Sequence, residues 1–266
     1  MPRIGWTTDP HLNFVSEPGR LHFYETLREA ELDLLLVGGD LGEAESVAGY
    51  LAELDRHVRI PTYFVMGNHD FYRGSIADLR ERIGRLAASL EKLTYLTRTA
   101  EPVALTAEWG LVGHDNWADG RLGAGALSKV MLNDFLLISE LRTLDAEERF
   151  RRLAVLGDGA AAELEPVLRR ALARFPNVLC LLHVPPFAEA CWHEGRISDA
   201  EYLPHFASLA MGEMLRRVMT QHSGRQLTVL CGHTHSGGLT RILPNLTVKT
   251  GGSVYGSPRV ESVWEV

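Results

Sequence analysis

The 266-residue chain is poor in cysteine, having only Cys180, Cys191 and Cys231. Three scattered thiols make neither a disulfide framework nor a zinc ribbon, so a reducing compartment, the cytoplasm, is the expected location. Long apolar runs are also missing: "LDLLLVGG" and "VLCLLHV" fall well short of the roughly 20 residues that span a bilayer. The start, "MPRIGWTTD", has no apolar stretch after a basic opening, so neither a signal peptide nor membrane insertion is expected. Basic excess is absent too. The formal net charge of -7 argues against a broad surface for nucleic acid or anionic lipid. It leaves room for a pocket made locally positive by bound cations. There is no internal repeat, low-complexity tract or Pro/Ser-rich linker. With 45% hydrophobic and 23% charged residues the composition is that of a globular protein. Its length suits one domain over 1–266. No exposed apolar stripe argues for a dimer, and the oligomeric state stays open.

What is present is an alternation of short apolar runs with amphipathic stretches. "RIGWTTDPH", "LLLVGGDLGE" and "PTYFVMGNHD" read as strands separated by helical "LHFYETLREAELD" and "SVAGYLAELDRHV", a βαβαβ order that favours a parallel sheet. A helix is expected from Ile76 to Leu90, then strands near "PVALTA" and "WGLVGHDNW". Over 120–176 the pattern blurs into loop and helix, and Asp158 in "LGDGAAAELEP" reads as a helix cap. "NVLCLLHVPP" is a strand stopped by Pro185 and Pro186. Residues 187–204 read as an ordered loop, "FASLAMGEMLRRVM" as a helix, "QLTVLCGHTHSGG" as a strand with its turn, and the tail as a β-meander. Segments near 120–160 and 187–205 are the expected cap or rim that selects substrate. "GAGAL" at 123–127 is too short and wrongly placed for a nucleotide-binding fingerprint.

Five apolar runs end in side chains that can hold a metal: Asp9 and His11, Asp40, Asn68 beside His69, His183, and His233 with His235. Singly, each has a bland reading. Asp40 after two glycines suits a turn or N-cap, and Asn68 a left-handed turn. Together they fall where strand ends line the crevice of an α/β sheet. In an extended segment His233 and His235 would share a face. Two carboxylates, one amide and four imidazoles suit Mn, Fe, Zn, Co or Ni better than calcium or a soft ion. Seven ligands are too many for one ion, so two divalent metal ions sharing one carboxylate are expected.

"DPH", "GGDLGE", "GNHD", "LLHVPP" and "GHTH", in that order, resemble the five motifs of the calcineurin-like metallophosphoesterase superfamily. The resemblance implies a four-layer α/β/β/α sandwich of two mixed sheets. It places Asp9, His11 and His235 on one ion and Asn68, His183 and His233 on the other, with Asp40 bridging. Ions about 3.5 to 4 Å apart hold a bridging hydroxide and neutralise a phosphoryl group for in-line displacement. Two divalent ions less two aspartates and one hydroxide leave about +1, enough to draw in a phosphate. His69 is the candidate to stabilise the phosphoryl group or protonate the leaving oxygen, with Glu43 or Asp70 as the acid that orients it. In the phosphoprotein phosphatase branch that acid is an Asp where Glu43 stands here. A purple acid phosphatase would place a ligand tyrosine there. His114 and Arg121 are the candidate substrate contacts, through a guanidinium suited to phosphate.

The expected activity is hydrolysis of a phosphodiester or small phosphoester, with a small phosphorylated substrate as partner. A phosphomonoesterase and a nuclease are the enzymatic alternatives, the second weakened by the acidic balance. A non-catalytic metal-binding scaffold is the alternative of another class.

Overall fold

The computed structural model describes all of residues 1–266. The first half of the chain runs β1 (Arg3–Thr7), α1 (Glu17–Glu29), β2 (Leu34–Val37), α2 (Val47–Val58), β3 (Thr62–Phe64), α3 (Ile76–Ser89), β4 (Leu93–Tyr95), β5 (Val103–Ala104) and β6 (Trp109–His114). There follow α4 (Asp134–Leu137), α5 (Ala146–Arg174), β7 (Asn177–Leu182), β8 (Trp192–His193), β9 (Arg196–Ile197), α6 (Leu203–Phe206) and α7 (Leu209–Gln221). The chain closes with β10 (Gln226–Cys231), β11 (Gly238–Leu243), β12 (Leu246–Thr250) and β13 (Ser262–Glu265).

The central strands are apolar at nearly every position because both of their faces are covered. Along β2, Leu35 and Val37 pack with Phe23, Leu51 and Ile83 of the flanking helices, while Leu34 and Leu36 turn to the opposite face. Along β7, Val178, Cys180 and Leu182 meet Leu168 and Leu215 of α5 and α7. Leu179 and Leu181, one residue out of step, meet Ile4 and Trp6 between the sheets. This period of two produces helix, sheet, sheet, helix, the four-layer α/β/β/α sandwich anticipated from the motifs.

One sheet has the order β13-β1-β2-β3-β4, with β1 to β4 parallel and β13 antiparallel at the edge. The other has the order β11-β12-β10-β7-β6-β5, in which β12, β10, β7 and β6 are parallel and the two edges antiparallel. The tail is therefore not one meander. β11 and β12 form a hairpin in the second sheet, but β13 crosses to the first and sets Glu265 opposite Arg3.

Asp158 is not a helix cap. α5 already starts at Ala146, capped by Asp145, whose side chain accepts from the Glu148 N–H at 2.8 Å. Asp158 lies inside that helix and pairs with Arg121. The 187–204 stretch contains the β8–β9 hairpin and the start of α6. It packs on the 120–160 stretch: the Ala124 N–H donates to the Ala200 carbonyl at 2.7 Å, and Leu122 and Leu132 cover Phe206. The two segments thus pack as one unit.

Candidate metal centre

The carboxyl ends of β1, β2, β3, β7 and β10 lead into loops that bring Asp9, His11, Asp40, Asn68, His183, His233 and His235 together. These loops are sharply turned. Asp9, His11, Asp40, His233 and His235 all hold φ between 42° and 71°, the left-handed region that costs a non-glycine residue energy. His233 and His235 consequently do not share a face by strand alternation. β10 ends at Cys231, and each histidine is aimed by its own left-handed residue in the turn. Two glycines make the crowding possible. A Cβ at Gly67 would lie 2.1 Å from Asp40 Oδ1, and one at Gly232 would lie 1.9 Å from Asp9 Oδ2.

Two clusters result. In the first, ligand atoms of Asp9, His11, Asp40 and His235 lie within 4.8 Å of one another, with His11 Nε2 and His235 Nε2 3.0 Å apart. In the second, Asn68 Oδ1 is 3.1 Å from His183 Nε2 and 2.9 Å from His233 Nδ1. Asp40 lies between them, with Oδ2 3.8 Å from His11 Nε2 and Oδ1 3.5 Å from His183 Nε2.

The second cluster has a defined protonation pattern. His183 Nδ1 faces the Gly38 carbonyl at 2.8 Å and His233 Nε2 faces the His205 carbonyl at 3.0 Å. A carbonyl only accepts, so those ring nitrogens carry the hydrogens, and the other nitrogen of each ring presents a lone pair. Asn68 is fixed likewise, because its Nδ2 donates to Asp134 Oδ1 at 2.9 Å and its carbonyl oxygen must point the other way. Two imidazole lone pairs and an amide oxygen therefore converge with no hydrogen among them. Burial drives the His233 pKa down to about 3, so protonation of that ring does not fill the gap near neutral pH. The residues present fit a cation.

Charge in the first cluster points the same way. Burial works against the Asp9 charge, but the His235 hydrogen bond and neighbouring imidazoles outweigh it and hold its carboxyl well below the usual range. Asp40 is pushed well above that range by burial and by the carboxylates of Asp9 and Asp70. His11 is driven to about 3, chiefly by burial. Two buried carboxyl groups whose charged neighbours are histidines and aspartates, with no lysine or arginine among them, suit a cation site.

Other expectations divide. His69 lies on the wall of the same cleft, its ring stacked on Tyr72 at 4.3 Å and edge-on to His11 at 4.8 Å. Burial and the nearby imidazoles lower its pKa to about 2. Neither proposed acid orients it. Asp70 is buried and accepts from the backbone N–H groups of Asp40, Gly42 and Gly67 at 2.8 to 2.9 Å, tying two ligand loops together. Glu43 pairs with Arg73 instead. His114 and Arg121 do not reach the cleft either. His114 is buried against Glu163 of α5 at 3.0 Å. Arg121 grips Asp158 of α5 with both terminal nitrogens.

Three contributors escaped the sequence reading. Asp134 of α4, 6% exposed, also accepts from the Tyr72 hydroxyl at 2.7 Å. Tyr72 follows Asn68 by one helical turn, a spacing that could have flagged it. Tyr255 lies 4.5 Å from the His11 ring, yet nothing in "GSVYGSP" marks it as more than a turn residue.

The family profile described as calcineurin-like phosphoesterase matches residues 2–237. Among solved structures the chain is similar to phosphopantetheinyl hydrolase from Mycobacterium tuberculosis, at 14% identity and TM-score 0.65, over 97% of this chain and 95% of that one. It is also similar to a dimetal phosphatase from Danio rerio, at 15% identity and TM-score 0.61, over 99% and 92%. A purple acid phosphatase from yellow lupin (Lupinus luteus) shares the fold at 11% identity and TM-score 0.53, covering 100% of this chain but 46% of its own. Identities this low speak to the fold alone. No curated protein sequence matches the chain.

Proposed function

The chain belongs to the calcineurin-like phosphoesterase family, and from that membership we propose that it is a binuclear metal-dependent phosphoester hydrolase acting on a small phosphodiester. The observation that carries this reading is the placing of Asp40: one oxygen faces His11 and the other His183, so one carboxylate serves both ligand clusters. Asp9, His11 and His235 would hold one ion and Asn68, His183 and His233 the other. When bound, two divalent ions supply Lewis-acid charge and lower the pKa of water towards neutrality.

The protein's own residues do the rest. His69 is anchored by its backbone N–H, which donates to Asp40 Oδ1 at 2.9 Å, and by its stack on Tyr72. That places its ring beside the ligands, where it contacts the phosphoryl group or gives a proton to the leaving oxygen. Its pKa is already lowered, by burial first and by the nearby imidazoles, and bound cations would add to this, so hydrogen-bond donation to a phosphoryl oxygen is its first role. The cleft of about 260 Å³ has no lysine or arginine in its lining, which favours a singly charged diester over a doubly charged monoester.

The test is metal stoichiometry followed by turnover. Two equivalents of Mn²⁺ should bind, and the loaded protein should hydrolyse a chromogenic diester faster than the matching monoester, with loss in Asp40→Asn and His69→Ala. Monoester preference would make it a phosphomonoesterase. Two bound ions with no turnover of either ester would make it a metal-binding scaffold.

A further inference from the structure

The cleft above the ligands has a chemical character of its own. Its side chains include Tyr72, Leu132, Phe206 and Tyr255 around a polar floor of Asn68 and histidines. No lysine or arginine lines it, and Arg73, next to the lining residue Tyr72, is paired with Glu43. Asp134 adds a buried carboxylate to the lining. Apart from the ions, then, nothing in the cleft neutralises anionic charge.

Tyr255 is held in place by more than its ring. The neighbouring Ser253 donates from Oγ to the Asp9 carbonyl at 2.6 Å and from its N–H to the His235 carbonyl at 3.1 Å, tying this turn to both ligand loops. The ring leans on His11 at 4.5 Å and His235 at 5.1 Å. Phe14 backs it at 4.9 Å. Even so, Tyr255 is 48% and Phe14 56% exposed. Two large aromatic rings fixed at the rim of a cleft and left half-open to water form a stacking surface without a partner.

We propose that the substrate is a small phosphodiester with a single ionised phosphate and a flat aromatic substituent, which stacks on Tyr255 while the phosphate sits over the ligand clusters. This rests on the phosphoesterase reading and adds the substrate class. The volume of about 260 Å³ lies just below the usual range for ligand pockets, which suits one phosphate and one ring. A polyphosphate or nucleic-acid strand would bring further negative charges to a cleft with no cationic side chain to meet them.

The experiment compares benzyl and methyl 2,2,2-trifluoroethyl phosphate on Mn²⁺-loaded protein, two diesters with the same non-aromatic leaving group and charge of which only the first carries a ring, follows the released trifluoroethanol, and adds a nucleoside triphosphate. Binding of phenylphosphonate and methylphosphonate by calorimetry gives a readout independent of turnover. The ring-bearing compound of each pair should be favoured about tenfold in kcat/KM and in Kd, the scale of one aromatic stack. Tyr255→Ala should bring both ratios towards one, and Tyr255→Phe should restore them. Equal ratios in the parent protein, ratios unmoved by Tyr255→Ala, or faster cleavage of the triphosphate would each overturn the substrate assignment while leaving the phosphoesterase reading standing. Metal-loaded protein that cleaves no ester would remove both.

Discussion

Removing the Asp134 carboxylate should damage one half of the metal site and spare the other. In its ionised form Asp134 only accepts hydrogen bonds, and its Oδ1 takes one from Asn68 Nδ2 at 2.9 Å and one from Tyr72 Oη at 2.7 Å. The first bond decides which end of the Asn68 amide faces His183 and His233. A hydrogen bond to a charged group contributes about 1.5 to 3 kcal/mol, a bias of roughly ten- to a hundredfold against the flipped amide. Loss of such an outer partner typically weakens metal binding by about the same factor. Asp134→Ala should therefore weaken the ion held through Asn68 by about ten- to a hundredfold and leave the affinity of the Asp9–His11–His235 side within about twofold. Asp134→Asn, whose amide oxygen can still accept from Asn68, should fall between. The assay is a two-site Mn²⁺ calorimetric titration, with a thermal melt to establish that each variant is folded. Equal weakening of both ions, or no change in a folded Asp134→Ala protein, would refute the claim that this carboxylate sets the Asn68 orientation.

Three further outcomes follow from the same geometry. Gly67→Ala should abolish tight metal binding, because the new Cβ would stand 2.1 Å from Asp40 Oδ1 and 2.6 Å from His183 Nε2; full Mn²⁺ stoichiometry in that variant would contradict the crowding. Burial pushes the Glu140 carboxyl up, but hydrogen bonds from Ile76, Ser75 and Ala77 at the start of α3 outweigh it, so its folded pKa lies below the ordinary 4.5. Its contribution is present above pH 4.5 and lost as pH falls through the lower folded value, so the stability gap between parent and Glu140→Gln, read from urea midpoints, should shrink on acidification. Cys180, Cys191 and Cys231 are all buried, and burial raises their thiol pKa values, to about 12 for Cys191 and Cys231; a thiol reagent should label none in the native protein and all three in denaturant.

The layered fold was legible because it follows from local pattern. Doubly covered strands such as β2 and β7 are apolar at nearly every position, and a glycine pair with Asp40 follows the first while His183 and two prolines follow the second. The convergence of the candidate residues was legible for the same reason, since Asp9, Asp40, Asn68, His183 and His233 all follow such strands within a few residues. The destination of β13 was not. Its alternating exposure marks an edge strand, and Ser262–Glu265 contains nothing to prefer the partner β1 over β11.

The site residues that were misplaced or missed share one physical cause: each depends on a contact between segments far apart in the chain. Arg121 looked free to bind phosphate because its partner, Asp158, lies 37 residues on, in a helix whose start at Ala146 was hidden by a blurred pattern. Glu43 stands where the family motif suggests an orienting acid, but Arg73 claims it. Asp134 has no motif at all; in "LNDFLL" it looks like an ordinary helix-start residue, and only its bond across 66 positions to Asn68 gives it a role. The protonation pattern that fits a cation is of the same kind. A histidine in the sequence has two equivalent-looking nitrogens, and the carbonyls that choose between them, Gly38 for His183 and His205 for His233, come from other loops. Motifs can therefore name the candidate ligands, whereas the direction in which each presents its lone pair is decided by the fold. That is why the Asn68 orientation, and not the identity of the ligands, is where the metal site is most open to disproof.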